Sequence, residues 1–185
     1  MVESFERFFV ITGGPGSGKT TLLDSLEEAG YRRSIEAGRA VIQHQRSTGG
    51  NALPWGDRVG FAERMLASEI RSYEQALQTT GPVFFDRGVP DVVGYLRLIG
   101  EKIPGHVWKA AEEYRYNRCA LIAPPWPEIF RQDHERKQNF AEAVRTYDAL
   151  AATYSEFGYE LIEIPKIPVA GRVKFVLANL DKGHR

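Results

Sequence analysis

Gly13-Gly14-Pro15-Gly16-Ser17-Gly18-Lys19-Thr20 is the stretch on which the reading of this chain turns. It follows the apolar run Phe8-Phe9-Val10-Ile11 and precedes Thr21-Leu22-Leu23-Asp24-Ser25-Leu26, so it predicts a strand, a phosphate-cradling loop and a helix. The glycines let backbone N–H groups wrap an anion at distances that a Cβ would obstruct. The dipole of the following helix adds to the attraction. Gly13, Gly14, Gly16, Ser17, Gly18, Lys19, Thr20 and Thr21 are therefore the expected contacts to a nucleoside triphosphate. Lys19 would reach the β- and γ-phosphates, and the Thr20 hydroxyl would hold a Mg²⁺ bridging the same oxygens. ATP and Mg²⁺ are the expected cofactors.

Outward from this loop, apolar runs at 8–12, 31–35, 83–86, 119–123 and 159–164 read as buried strands, separated by segments of helical spacing. Strands that alternate with helices need crossover connections, which predicts an α/β fold with a five-stranded parallel sheet covered on both faces. Helices are expected at 19–29, from Glu36, from Asp57 to Leu77, at 92–99, at 106–116, from His134 to Phe157 with Asp133 as cap, and at 169–180. The breaker-rich residues 47–56 read as a loop, in which Trp55 would either stack on a ring or plug the core edge. Without an internal repeat or a composition boundary, residues 1–185 are expected to form one domain.

In such sheets ligands sit beyond the carboxyl ends of the strands. The third strand ends Phe85-Asp86-Arg87-Gly88, and a carboxylate there is placed to hold Mg²⁺ beside Thr20; a strand-end acid capping the next turn is the plainer alternative. Arg87 offers a planar fork to phosphate or to a substrate, or pairs with Asp91. Glu36 has the same address after the second strand, as a base for an acceptor hydroxyl or as a glutamate favoured by the start of a helix. Arg39, three residues on, would share its helical face and clamp the acceptor. Arg131 and Arg136 in Arg131-Gln132-Asp133-His134-Glu135-Arg136-Lys137 crowd cations at a predicted helix start, which suggests an arginine-bearing lid over about 124–137, against a solvated turn. The catalytic set so read is Lys19, Glu36, Asp86, Arg87, Arg131 and Arg136, with Glu36, Arg39 and Arg87 facing the acceptor and Thr20 and Asp86 the metal.

Bulk composition narrows the classes further. The 24 basic and 24 acidic residues cancel, so no overall field recruits nucleic acid or an anionic membrane. The lone Cys119 in an apolar run suits a reducing compartment and a buried role. His44 and His134 have no second ligand at metal spacing. No apolar run reaches the ~20 residues of a membrane span, and the amino terminus lacks a secretory pattern, so a cytoplasmic location is expected.

These residues resemble a known family. The loop with Thr21, Glu-Ala-Gly-Arg at 36–39, Phe-Asp-Arg-Gly at 85–88, the charged 131–137 stretch and Gly-Tyr-Glu-Leu-Ile-Glu-Ile-Pro at 158–165 together resemble the small P-loop ATPases labelled AAA-type, whose arrangement is closer to small kinases. More distantly the layout is similar to thymidylate, deoxynucleoside and nicotinamide riboside kinases. The resemblance implies a P-loop NTPase three-layer sandwich. It matches Glu36 to the carboxylate that handles the acceptor hydroxyl, Asp86-Arg87 to the acid–Arg pair, and Arg131 and Arg136 to lid arginines. It also sets residues 165–168 beside the adenine. Gly88 departs from the nucleoside kinases, which carry another partner after the acid–Arg pair. The expected activity is transfer of the γ-phosphoryl of ATP to a small-molecule acceptor, with an ATP hydrolase acting with a partner and a nucleotide-binding regulator as alternatives.

Overall fold

The computed structural model describes residues 4–131 and 138–180. Five strands form one all-parallel sheet: β1 (Phe8–Gly13), β2 (Arg32–Arg33), β3 (Val83–Asp86), β4 (Cys119–Ala123) and β5 (Glu160–Glu163), in the order β2-β3-β1-β4-β5. Seven α-helices connect and cover them among the described residues: α1 (Lys19–Glu28), α2 (Ala37–Thr48), α3 (Arg58–Leu77), α4 (Val89–Leu98), α5 (Gly105–Glu113), α6 (Phe140–Glu156) and α7 (Val169–Ala178). The fold is a three-layer α/β sandwich.

β1 is central and fully buried, which is why its run is continuously apolar instead of alternating. Successive side chains point to opposite faces. Phe8 and Val10 enter a core built with Leu66, Tyr73, Phe85, Val93 and Tyr154, from α3, β3, α4 and α6. Phe9 and Ile11 enter the other, with Leu22, Leu26, Phe84, Leu121 and Val176, from α1, β3, β4 and α7. Both faces of β1 are buried, so a slip of one residue would exchange the side chains that the two cores are packed around.

Several boundaries differ from the sequence reading. β2 shrinks to two residues because it is an edge strand and Ile35 stays 66% exposed. α4 starts at Val89, three residues early, with Gly88 extended at its N-cap, Pro90 in its first turn and the Asp91 carboxylate accepting the Gly88 N–H at 3.0 Å. α2 runs on to Thr48 before Gly49 ends it in the left-handed region at φ 68°. α6 does not run from His134 under an Asp133 cap. It begins at Phe140, where Asn139 is extended, its side chain accepts the Glu142 N–H and Glu142 returns the bond, a reciprocal cap that fixes the start. Residues 132–137, including Asp133, His134 and Arg136, lie outside the described residues.

Candidate active site at the carboxyl ends of the strands

The loop after β1 turns directly into α1, with Gly18 as N-cap in the left-handed region at φ 76°. A Cβ there would come within 2.6 Å of an Arg172 guanidinium nitrogen, which the long side chain could yield, so it is the left-handed backbone that calls for glycine. Ser17 Oγ donates to the Gly14 carbonyl at 2.8 Å, and Lys19 Nζ donates to the carbonyls of Gly14 at 2.7 Å and Gly13 at 3.1 Å. Lys19 is only 7% exposed, so its ammonium is held inside the loop's curve with its charge already placed. Thr20 and Thr21 are exposed at the start of α1.

Two hollows meet at this loop. One, of about 430 Å³, runs over residues 15–21 and is walled by Trp126, Phe130, Arg131, Pro168 and Arg172. The other, of about 910 Å³, lies between one face each of α2, α4 and α6, with the start of α3 and the 53–55 loop closing it. Pro15, Glu36 and Gln138 border both. The junction is therefore where a group held by the loop would face a molecule in the larger cavity.

The junction is charged. Glu36 is the N-cap of α2, yet its carboxylate turns outward from the helix start to Arg87 Nε at 3.4 Å and Arg39 Nε at 3.6 Å. Arg87 also donates from Nη1 to Asp91 Oδ1 at 3.0 Å. Its backbone sits at φ 74°, the left-handed region, alone in this among the described non-glycine residues. Such a conformation costs on the order of 1–3 kcal/mol and persists only where the surroundings over-determine it. Burial works against the Arg87 charge, but Asp91, Glu36 and Asp86 outweigh it and hold the guanidinium above its ordinary range.

Asp91 anchors this cluster. One oxygen accepts the Thr12 hydroxyl at 2.6 Å as well as Arg87, and the other accepts the Gly88 N–H at 3.0 Å and the Tyr154 hydroxyl at 2.6 Å. Both lone-pair sets are thus filled, as a carboxylate only 6% exposed requires. Asp86 stands at the end of β3 in register with Ile11, is 4% exposed, and has its backbone N–H bonded to Ser34 Oγ at 3.0 Å. Behind the cluster Glu69 of α3 is 2% exposed, and burial, then Asp91 and Asp86, push its carboxyl well above the ordinary value.

Fit to Mg²⁺ follows from donor chemistry. Among the described residues no group of three or more His, Cys, Asp or Glu could hold a metal. Mg²⁺ on a phosphate loop needs only one or two protein oxygens, the rest coming from phosphates and water, and the Thr20 hydroxyl and the Asp86 carboxylate are of the donor type that would supply that set.

The structure brings Glu36, Arg39 and Arg87 together and carries Arg131 to the wall of the phosphate-loop hollow, exposed and donating to the Phe130 carbonyl at 2.8 Å. Arg136 lies outside the described residues. Three features went unread in the sequence. Asp91 had been named only as a partner for Arg87, although its spacing of four and its place in the first turn behind Gly88 mark it as an anchor. Arg172, 3% exposed with burial lowering its guanidinium from the ordinary value, donates to the Gly18 carbonyl at 3.3 Å and faces the Trp126 ring at 5.8 Å. Nothing local distinguishes it on α7. Tyr95 lines the larger cavity with its hydroxyl buried and unbonded, and burial pushes it up to about 12.

Known proteins show the same architecture. A NadR protein solved in complex with NR superposes with a TM-score of 0.71 at 17% identity, covering 96% of this chain and 50% of that one, so the chain spans about half its length. Deoxyadenosine kinase from M. mycoides gives 0.67 at 11% identity, over 95% of this chain and 99% of that one. Thymidylate kinase from Ehrlichia chaffeensis gives 0.58 at 18%, over 94% and 97%. Among curated proteins none matches the sequence. A likeness at such identities establishes a kinase-like P-loop fold. The sequence match that carries further is to the AAA domain family over residues 8–172, from the first residue of β1 to the arginine that closes on Gly18, and the chain belongs to that family.

Proposed function

We propose that this protein is an ATP-dependent phosphotransferase that moves the γ-phosphoryl group of ATP to a hydroxyl or phosphate of a small, nucleoside- or nucleotide-like metabolite. The observation that carries the reading is the junction: a phosphate-loop hollow opening at Glu36 and Pro15 into a second, separately walled cavity. A hydrolase has no use for a cavity of about 910 Å³ opposite its triphosphate, whereas an acceptor needs one. The complexes of NadR with NR and of deoxyadenosine kinase with products dCMP and dCDP support a nucleoside-like acceptor.

In this reading the triphosphate lies along Gly13–Thr21, with Lys19 moving from the loop carbonyls to the β- and γ-phosphates. Arg131 and Arg172 flank the donor, and the 165–168 turn borders its base. Thr20 and Asp86 would hold Mg²⁺, which neutralises charge on the phosphates when bound. The acceptor oxygen attacks the γ-phosphorus in line, its bond forms as the bond to the β,γ-bridging oxygen breaks, ADP departs, and the acceptor proton passes to Glu36. Glu36 serves more by position than by base strength, since phosphoryl transfer rests mainly on alignment and charge stabilisation. Arg87 and Arg39 hold it in place and face the transferred group.

Incubation with ATP and a panel of hydroxylated and phosphorylated metabolites, read as ADP release and phosphorylated product, tests the proposal. One acceptor is expected to raise ADP release at least about tenfold and to appear phosphorylated, with Glu36→Gln slowing that transfer about 10²- to 10⁴-fold. ATP turnover that no acceptor alters, with no phosphorylated product, would overturn it.

A further inference from the structure

The larger cavity is long, and its two ends differ. Gly38, Ile42 and Arg46 line it at four-residue spacing along α2, so it follows that helix from Glu36 outward. Arg46 is nine residues beyond Ala37, about 14 Å at ~1.5 Å per residue. Arg58, the first residue of α3, and Arg145 of α6 line the same cavity. All three arginines are exposed, and among the described residues none has a carboxylate partner.

The acids that share these walls are already engaged. Glu36 faces Arg39 and Arg87, Asp91 accepts four donors, Glu142 accepts the Asn139 N–H, and Asp57 beside Arg58 accepts the Gly60 N–H. Arg145 stands three residues from Glu142 and two from Ala143, whose carbonyl packs against Gly14, so it belongs to the phosphate-loop end; Arg46 and Arg58, from α2 and α3, are the cations at the other end, and neither is ion-paired among the described residues. Between them and the junction the wall is aromatic: Phe61 packs edge-on to Tyr95 with ring centroids 5.4 Å apart, and Arg46 lies 5.3 Å over the Trp55 ring. Trp55 is 56% exposed, a ring left open to a second face.

We propose that the end of this cavity remote from the phosphate loop is an anion subsite. Arg46 and Arg58 take a phosphate or carboxylate group carried by a molecule whose ring lies against Trp55, Phe61 and Tyr95. Resting on the kinase reading, this makes the acceptor two-ended: the accepting oxygen at Glu36 and a negative charge on the order of 14 Å away. A bare nucleoside would leave Arg46, Arg58 and the Tyr95 hydroxyl without partners, and so would be a poorer acceptor than a relative bearing a distal anion.

A matched pair of fluorescent probes tests the subsite without knowledge of the natural acceptor. 8-Anilinonaphthalene-1-sulfonate carries an aromatic frame and an anion; N-phenyl-1-naphthylamine carries the frame alone. In wild type, energy transfer from Trp55, identified by its loss in Trp55→Phe, is expected for both, with the sulfonate bound at least about tenfold more tightly. Arg46→Ala/Arg58→Ala should erase that advantage while leaving the neutral probe within about twofold, and Arg46→Lys/Arg58→Lys should restore part of it. Equal weakening of both probes, or no weakening of the sulfonate, overturns the proposal. A parallel screen of acceptors with and without a distal phosphate or carboxylate separates the two anions. Product from neutral acceptors only would sink the subsite and keep the kinase reading. No product from any acceptor would sink the kinase reading, while the probe result judges the subsite separately.

Discussion

Asp91→Asn replaces one atom in the most heavily bonded side chain of the site. The amide keeps one oxygen, enough for Thr12 or Arg87, but turns an NH₂ toward the Gly88 N–H or the Tyr154 hydroxyl, and removes the charge that faces Arg87 at 3.0 Å. The Arg87 and Asp91 side chains are 14% and 7% exposed, so solvent screens little of the loss. Breaking one side of a buried pair costs about 3–5 kcal/mol, because the remaining charge is left uncompensated. Glu36 stays within 3.4 Å of Arg87 and softens this, so the lower end, about 3 kcal/mol, is expected. At ~2–4 °C per kcal/mol for a chain of this size, the midpoint should fall by about 6–12 °C. Urea unfolding followed by circular dichroism, with the slope unchanged, would measure it. Tyr154→Phe removes one of four donors and should cost about 1.5–3 kcal/mol, no more than the Asp91 change. A loss below about 1 kcal/mol for Asp91→Asn would mean that Asp91 does not anchor Arg87, and the account of its left-handed backbone would fail with it.

Lys19→Ala should weaken binding of a fluorescent ATP analogue by roughly ten- to a hundredfold, the worth of one or two charge-assisted bonds, measured by titration; unchanged affinity would remove Lys19 from the donor site. Gly14→Ala sets a Cβ against the Ala143 carbonyl, backbone against backbone, and should cost on the order of 1–3 kcal/mol in urea unfolding, since neither side can yield as a flexible side chain does. Glu69→Gln should stabilise the protein increasingly as pH rises. The folded-state value lies above the ordinary 4.5, so above that pH the unfolded chain releases a proton the folded chain keeps. That loss of stability is absent below pH 4.5 and grows toward the folded value. A stability difference that does not change with pH would show that Glu69 is not held neutral.

The sheet was legible because its signals are local. Five apolar runs, breakers between them and helical spacing in the gaps were enough to place β1, β3 and β4 to within a residue, since buried parallel strands must be continuously apolar. The edge strands were read too long, because an apolar run does not say whether a second neighbour exists to pair with it. The start of α6 was misplaced by six residues: Asp133 and Asn139 are both good caps, and only Asn139 has Glu142 three residues on to complete the box. At the site, the phosphate loop, Glu36 and Arg87 were read from their addresses at strand ends and Arg39 from its helical spacing to Glu36, and the fold sets the last three side chains together. Arg172 and Tyr95 were not, because each carries a signal only through residues far away in the chain.

The division between sequence and structure falls along the phosphate loop itself. Gly13–Thr20 is contiguous, its glycines allow backbone turns that other residues resist, and its lysine is six positions from the carbonyl it holds, so the phosphate loop and its lysine were determined by the sequence alone. What the loop faces was decided by packing. Glu36 and Arg87 are 51 residues apart, and Thr12 and Asp91 are 79 apart. The larger cavity exists only where faces of α2, α3, α4 and α6 are brought together by the two cores beneath them. No periodicity within any one helix records which other helix it will face, and that is why Arg46 of α2 and Arg58 of α3 could be read as lining one cavity only in the folded chain.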